Sequence, residues 1–151
     1  INLASIGSGK MKPPCMMVVQ YILPALRVEI AKELSGDYAL KNAEIARKMD
    51  VTPAAVTQYL NQTRGGEASD LIKDSDKVMG IVSEIAKDIV NEQSPPDMLL
   101  MKLCTACLTV RSEKLMCKIH MDSMPSLKGL DTCACSLGLV GWSEESEIEA
   151  E

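Results

Sequence analysis

The stretch Leu40–Gly66, LKNAEIARKMDVTPAAVTQYLNQTRGG, decides the fold. Asn42–Met49 has the spacing of a short amphipathic helix, with Ile45, Ala46 and Met49 on the inward side. Asp50-Val51 reads as a tight turn. Thr52-Pro53 is a helix start, a hydroxyl N-cap followed by a proline whose missing N–H costs nothing at the first helical position. The next helix, residues 53–61, sets Val56 and Leu60 on one side, with Tyr59 at the margin. Pro53, Ala54, Thr57, Gln58 and Asn61 line the opposite side. Arg64-Gly65-Gly66 closes the unit as a loop.

Two short helices across a tight turn can be a plain hairpin inside an all-α domain, so the positions have to be weighed singly. A DNA-reading helix-turn-helix needs a small residue where the second helix crosses the first, and Ala46 is small. It needs a turn residue that tolerates a left-handed backbone; glycine is usual and Asp50 is an acceptable substitute. Apolar residues must flank the turn and fill the middle of the second helix, and Met49, Val51 and Val56 do so. The outward face must carry small and hydrogen-bonding side chains that can enter a major groove; Thr52, Ala54, Thr57, Gln58 and Asn61 supply that set. Gln58 can pair bidentately with adenine, and Thr57 and Ala54 can meet a thymine methyl. Asn61, Lys41 and Arg64 are candidates for phosphate contact.

The segment from MKPPC (11–15) through LPALRVEIAKEL (23–34) to the stretch above resembles archaeal helix-turn-helix regulators of the lambda-repressor-like (Xre) type. In some of these a similar module precedes a thiamine-phosphate synthase domain. The resemblance covers roughly residues 11–66, and the later CxxC…CxxH more loosely. It implies a lambda-repressor-like domain that binds double-stranded DNA. Family members carry Ser or Thr where Lys41 stands and Gly where Asp50 stands, so Lys41 forgoes an N-cap, typically about 1 kcal/mol. The chain is too short to hold a thiamine-type catalytic domain after the motif.

Composition supports a helical chain. Among 151 residues there are no Phe, one Trp and three Tyr against ten Met, a core vocabulary that favours helices over sheet. The net charge of −5 is unevenly spread. Residues 11–66 hold seven Lys/Arg against five Asp/Glu, and residues 67–151 hold eight against sixteen. A polyanion contact is therefore expected only in the first part. So modest a positive excess means few phosphate contacts per subunit, which leads to a homodimer reading two half-sites. No run of about 18 apolar residues predicts a membrane span. Residues 1–10 lack an apolar signal core and are read as a non-native leader. Without a secretory signal the cysteines are expected reduced or metal-bound, in a cytoplasmic setting.

Beyond the first module, residues 67–93 are expected to form an amphipathic helix from about Ser69, with Val78, Ile81, Val82, Ile85 and Ile89 as either a dimer seam or a face packed on its own domain. Upstream, one helix is expected at 15–22 and a second at 24–35, divided by Pro24, with Arg27, Glu29, Lys32 and Glu33 off its apolar face. Residues 94–135 form a Cys-rich helical region and 136–151 an acidic, solvated tail. Cys104, Cys107, Cys117 and His120 fall as C-x2-C-x9-C-x2-H on two expected helices, a spacing suited to zinc. An iron–sulfur cluster on Cys104, Cys107 and Cys117 with Cys133 or Cys135 is the less favoured alternative, and redox or simply buried thiols without metal are the others. No Ser/His/Asp set, phosphate-binding glycine loop or HExxH is present, so an enzyme is not expected. The resulting expectation is an all-α protein that acts as a DNA-binding regulator. The alternative is a metal-stabilised protein-interaction adaptor without specific DNA binding.

Overall fold

A computed structural model describes residues 12–61, 66–92 and 94–127. Helix is the only regular secondary structure among these residues, with no strand. The first helix, α1 (Pro14–Gly36), is the pillar of the fold. It does not break at Pro24 as the sequence suggests. The chain opens instead into one π-turn over Val18–Ile22, and the Leu23 N–H reaches the Val18 carbonyl five residues back. Pro24 has no N–H to give and its ring crowds the carbonyl four residues back. A π-turn just upstream widens the backbone there and lets the helix run through.

Helix α1 is buried on most sides: Met17, Ile22, Ala25, Leu26, Val28, Ile30, Ala31 and Leu34 are all in the core. By length and composition alone it could cross a membrane, at a mean hydropathy of 1.3, yet half of that apolar window is buried within the protein. One of its expected surface charges, Glu29, is buried as well, at 5% exposure. It accepts a hydrogen bond from the Ser69 hydroxyl at 2.5 Å and lies 3.4 Å from Lys32 and 3.7 Å from Lys73. A buried carboxylate needs such partners, and these tie α1 to α4.

Helices α2 (Asn42–Met49) and α3 (Pro53–Leu60) follow. The single helix expected from Ser69 to Glu92 is two, α4 (Gly66–Lys73) and α5 (Asp76–Asn91). Ser75 divides them: its hydroxyl oxygen accepts the Val78 N–H at 3.2 Å, the role of an N-cap. The Ser75 hydroxyl also donates to Glu113 at 2.5 Å, tying the start of α5 to the residue that follows Ser112. Glu92, in the left-handed region at φ 50°, ends α5. Helix α6 (Pro96–Ser112) starts on Pro95-Pro96, and α7 (Cys117–Ser123) follows a turn in which Lys114 is left-handed. A 3-10 turn (Pro125–Leu127) comes last.

Helix α1 packs against α3, α4 and α5, α2 packs on α3, and α6 lies on α5. Val78, Val82, Ile85 and Ala86 of α5 are buried in this core. The apolar face that might have been a dimer seam is therefore spent inside its own chain.

Candidate nucleic-acid interface

The α2–α3 unit is built from short-range rules. Asp50 sits at φ 53°, ψ 48°, and its N–H and that of Val51 reach back to α2 carbonyls: Val51 to Ala46 at 3.0 Å and Asp50 to Arg47 at 3.4 Å. This is a left-handed helix stop, which places Val51 back against the core. The Thr52 hydroxyl oxygen accepts the Ala55 N–H at 3.1 Å, so the expected N-cap forms. Ile45, Ala46, Val56 and Tyr59 are buried and lock the two helices on α1. Tyr59 rather than Leu60 is the deeper residue of α3, and Leu60 is half-buried.

The opposite face of α3 is open. Thr52, Pro53, Ala54, Thr57, Gln58 and Asn61 are exposed, and Lys41 is exposed at the start of α2. Helix α3 carries no charged side chain, so the face offers hydroxyl, carboxamide and methyl groups. The Thr57 hydroxyl donates to the Pro53 carbonyl at 3.1 Å, leaving its oxygen as an acceptor and its methyl outward. Lys41 makes no side-chain cap, as its residue type implied. Arg64 lies outside the described residues. One basic residue that sequence reasoning passed over is Arg47, exposed on the last turn of α2. Its neighbour Lys48 is engaged, donating to Glu92 at 2.7 Å and fastening α2 to the end of α5. A cleft of about 280 Å³ lies between them, lined by Arg47, Lys48, Asp88, Ile89, Glu92 and Leu99 among others.

The second group of expected site residues is arranged differently. Cys104 is exposed and Cys107 half-buried on α6, both as free thiols. Cys117, in contrast to the expected reduced state, is disulfide-bonded. His120 is buried at 2% exposure. Its Nε2–H donates to the Lys12 carbonyl at 2.7 Å, which commits that ring nitrogen. Among the described residues no three Cys, His, Asp or Glu side chains come together as a metal-binding group. Cys104, Cys107, Cys117 and His120 are therefore not gathered into one group in this arrangement. Cys133 and Cys135, invoked for an iron–sulfur cluster, lie outside the described residues.

The pair on α6 has a neighbour the spacing could not reveal. Burial pushes the Cys107 thiol up from its ordinary pKa; Arg111 opposes this, and Cys104 and the distant-in-sequence Cys15 add to the rise. Cys15, free and exposed, stands at the start of α1, within electrostatic reach of Cys107. The chain matches no protein-family profile, and no curated protein and no solved structure is similar to it.

Proposed function

We propose that this chain is a sequence-specific regulator that binds double-stranded DNA as a homodimer, with α3 as the reading helix of a lambda-repressor-like helix-turn-helix. One observation carries the reading. An uncharged helix with Thr52, Ala54, Thr57, Gln58 and Asn61 exposed along one face is held rigidly by a left-handed stop, an N-cap and a buried apolar edge. Small and amide side chains on a fixed helix suit base edges in a major groove, whereas a plain structural hairpin has no use for them. Gln58 is the candidate adenine reader, and Lys41 and Asn61, with Arg64 and Arg47, are candidate phosphate contacts.

Selection from a random duplex library, followed by titration of the selected site, tests the proposal. Gln58→Ala should weaken the selected complex by about 1–3 kcal/mol and leave the fold intact, because Gln58 is exposed. Affinity should fall steeply as salt rises. Failure to select any sequence, or an affinity indifferent to salt, would refute DNA recognition. That result would favour the adaptor reading, for which the sixteen acidic residues after Gly66 and the apolar outer face of α6 speak.

A further inference from the structure

Helix α6 is covered on one side only. Ala106 and Val110 are fully buried against α5, but Leu100, Met101 and Leu108 are 62%, 63% and 48% exposed. At 3.6 residues per turn, residues 97, 100, 101, 104, 108 and 111 fall on one stripe, opposite Ala106 and Val110. Only one charge, Lys102, stands between Asp97 and Arg111. It is turned away from the stripe toward α5, where it bonds Asp88 at 2.5 Å and lies 3.7 Å from Glu84. The result is three helical turns of exposed surface with no charge on them, a surface that single-chain proteins rarely leave open.

The arrangement of that stripe is symmetric about Cys104. Apolar Leu100 and Met101 lie four and three residues before it, and Cys107 and Leu108 lie three and four after it. Asp97 lies seven before and Arg111 seven after, so the charges at the two ends are opposite. A helix face that reads the same in both directions and ends in complementary charges is what a twofold contact requires, because each residue must meet its mirror position. We propose that α6 pairs antiparallel with α6 of a second copy, about a twofold axis at Cys104. Leu100 then packs on the partner's Leu108, Met101 on the partner's Cys107, and Asp97 faces the partner's Arg111. The seven-residue spacing of Asp97, Cys104 and Arg111 is that of a shallow left-handed helix crossing. The segment 128–151 is a poorer occupant: it carries six acidic residues and one lysine, against a face that is apolar between Asp97 and a single cation, Arg111, at its end.

The inference rests on the reading above only in taking the chain to be a homodimer. Association is measured without DNA, so DNA reading and pairing can fail separately. Sedimentation of the full chain should show a dimer at about 50 μM, a concentration that detects even micromolar affinity. Met101→Glu and Leu108→Glu each place two carboxylates in the seam, one per copy, and should raise the dissociation constant about 100-fold or more. Both side chains are exposed in the monomer, so circular dichroism should be unchanged. Diamide should then form a covalent dimer. Two Cys104 thiols give up two protons and two electrons to make one S–S bond, and the diazene is reduced to its hydrazine. Cys104→Ser should abolish that dimer and Cys15→Ser should not. A dimer indifferent to both glutamates would overturn the proposal, as would a cross-link that survives Cys104→Ser. A monomer would also overturn it; if its Cys104 resists alkylation, the chain's own C-terminal segment covers the face.

Discussion

Substituting Asp50 tests the turn that sets α3 against α2. Asp50 holds a left-handed backbone, φ 53° and ψ 48°, at the C-terminal end of α2. For a non-glycine residue that conformation costs roughly 1–2 kcal/mol, toward the lower end for Asp. Its negative charge also lies at the negative end of the helix dipole, a further cost of about 0.3–1 kcal/mol for an exposed group. Glycine removes both penalties but adds back about 0.4–1 kcal/mol of unfolded-chain entropy. Asp50→Gly should therefore stabilise the protein by about 0.5–1 kcal/mol net, a rise in Tm of roughly 1–4 °C for a chain of this size. Asp50→Asn should recover only the electrostatic share. Asp50→Val, β-branched and unable to hold a positive φ cheaply, should destabilise by more than about 1 kcal/mol. Urea titrations of the four proteins at one pH give the ranking Gly, Asn, Asp, Val from most to least stable. Valine equal to wild type, or glycine below it, would refute a left-handed turn at this position.

Other substitutions probe the tethers around α2 and α3. Glu29→Ala leaves the buried Ser69 hydroxyl without the carboxylate it donates to, and should cost about 2–3 kcal/mol in urea unfolding; Ser69→Ala, which removes the hydroxyl itself, should cost less. The Lys102 hydrogen bond holds the Asp88 carboxyl below the usual carboxylate range, and the Lys48 hydrogen bond does the same for Glu92. A depressed folded-state pKa adds stability that is fully present above the unfolded carboxylate range, near 4, and disappears as pH falls through the folded value. The acid limb of the stability curve should therefore steepen below about pH 4. It should be shallower in Asp88→Asn, as read by thermal melts across pH 2–7. Because burial pushes the Cys107 thiol up, iodoacetamide at neutral pH should modify exposed Cys104 and Cys15 well before Cys107 in the Met101→Glu variant, in which the α6 seam is open. Peptide mass mapping of a time course checks the order, and equal rates for the three thiols would contradict it.

Local chemistry made the α2–α3 unit legible. Thr52-Pro53 announced a capped start and the cap formed; Ala46, Val51 and Val56 announced the inner side of the turn, and Ala46 and Val56 are buried there. What could not be read was decided by long-range contacts. Pro24 looked like a helix boundary because its local cost is real, yet the core on most sides of α1 makes a π-turn cheaper than a break. Ser75 looked like an ordinary polar position within a long helix until its hydroxyl capped α5 and met Glu113. Glu29 had the spacing of a surface charge, and only α4, forty residues on, shows why it is inside. The cysteine spacing suggested one chelating cluster. Spacing cannot report that His120 spends Nε2 on the Lys12 carbonyl, or that Cys117 is in a disulfide.

The tethers share a direction that bears on how a signal in the second half would reach the first. Lys48 runs from α2 to the end of α5, Glu29 and Ser69 join α1 to α4, and Lys102 joins α6 to Asp88 and Glu84 on α5. Helix α5 therefore holds the reader at its C-terminal end and the outer helix along its length, while its apolar residues are locked onto α1. Asp88 and Glu92 are one helical turn apart on α5, so the α6 tether and the α2 tether end on adjacent turns. A close-packed helix pair moves as a unit or shifts between discrete packings. A change at the outer face of α6 would reach α2 through that single turn of α5, without any change in the core between α1 and α3. In a chain paired as proposed, this packing would fix the distance between the two α3 helices by rigid packing rather than by a linker. If α3 reads DNA as proposed, one half-site spacing would be selected, and the modest charge of residues 11–66 would suffice, because two weak contacts act as one.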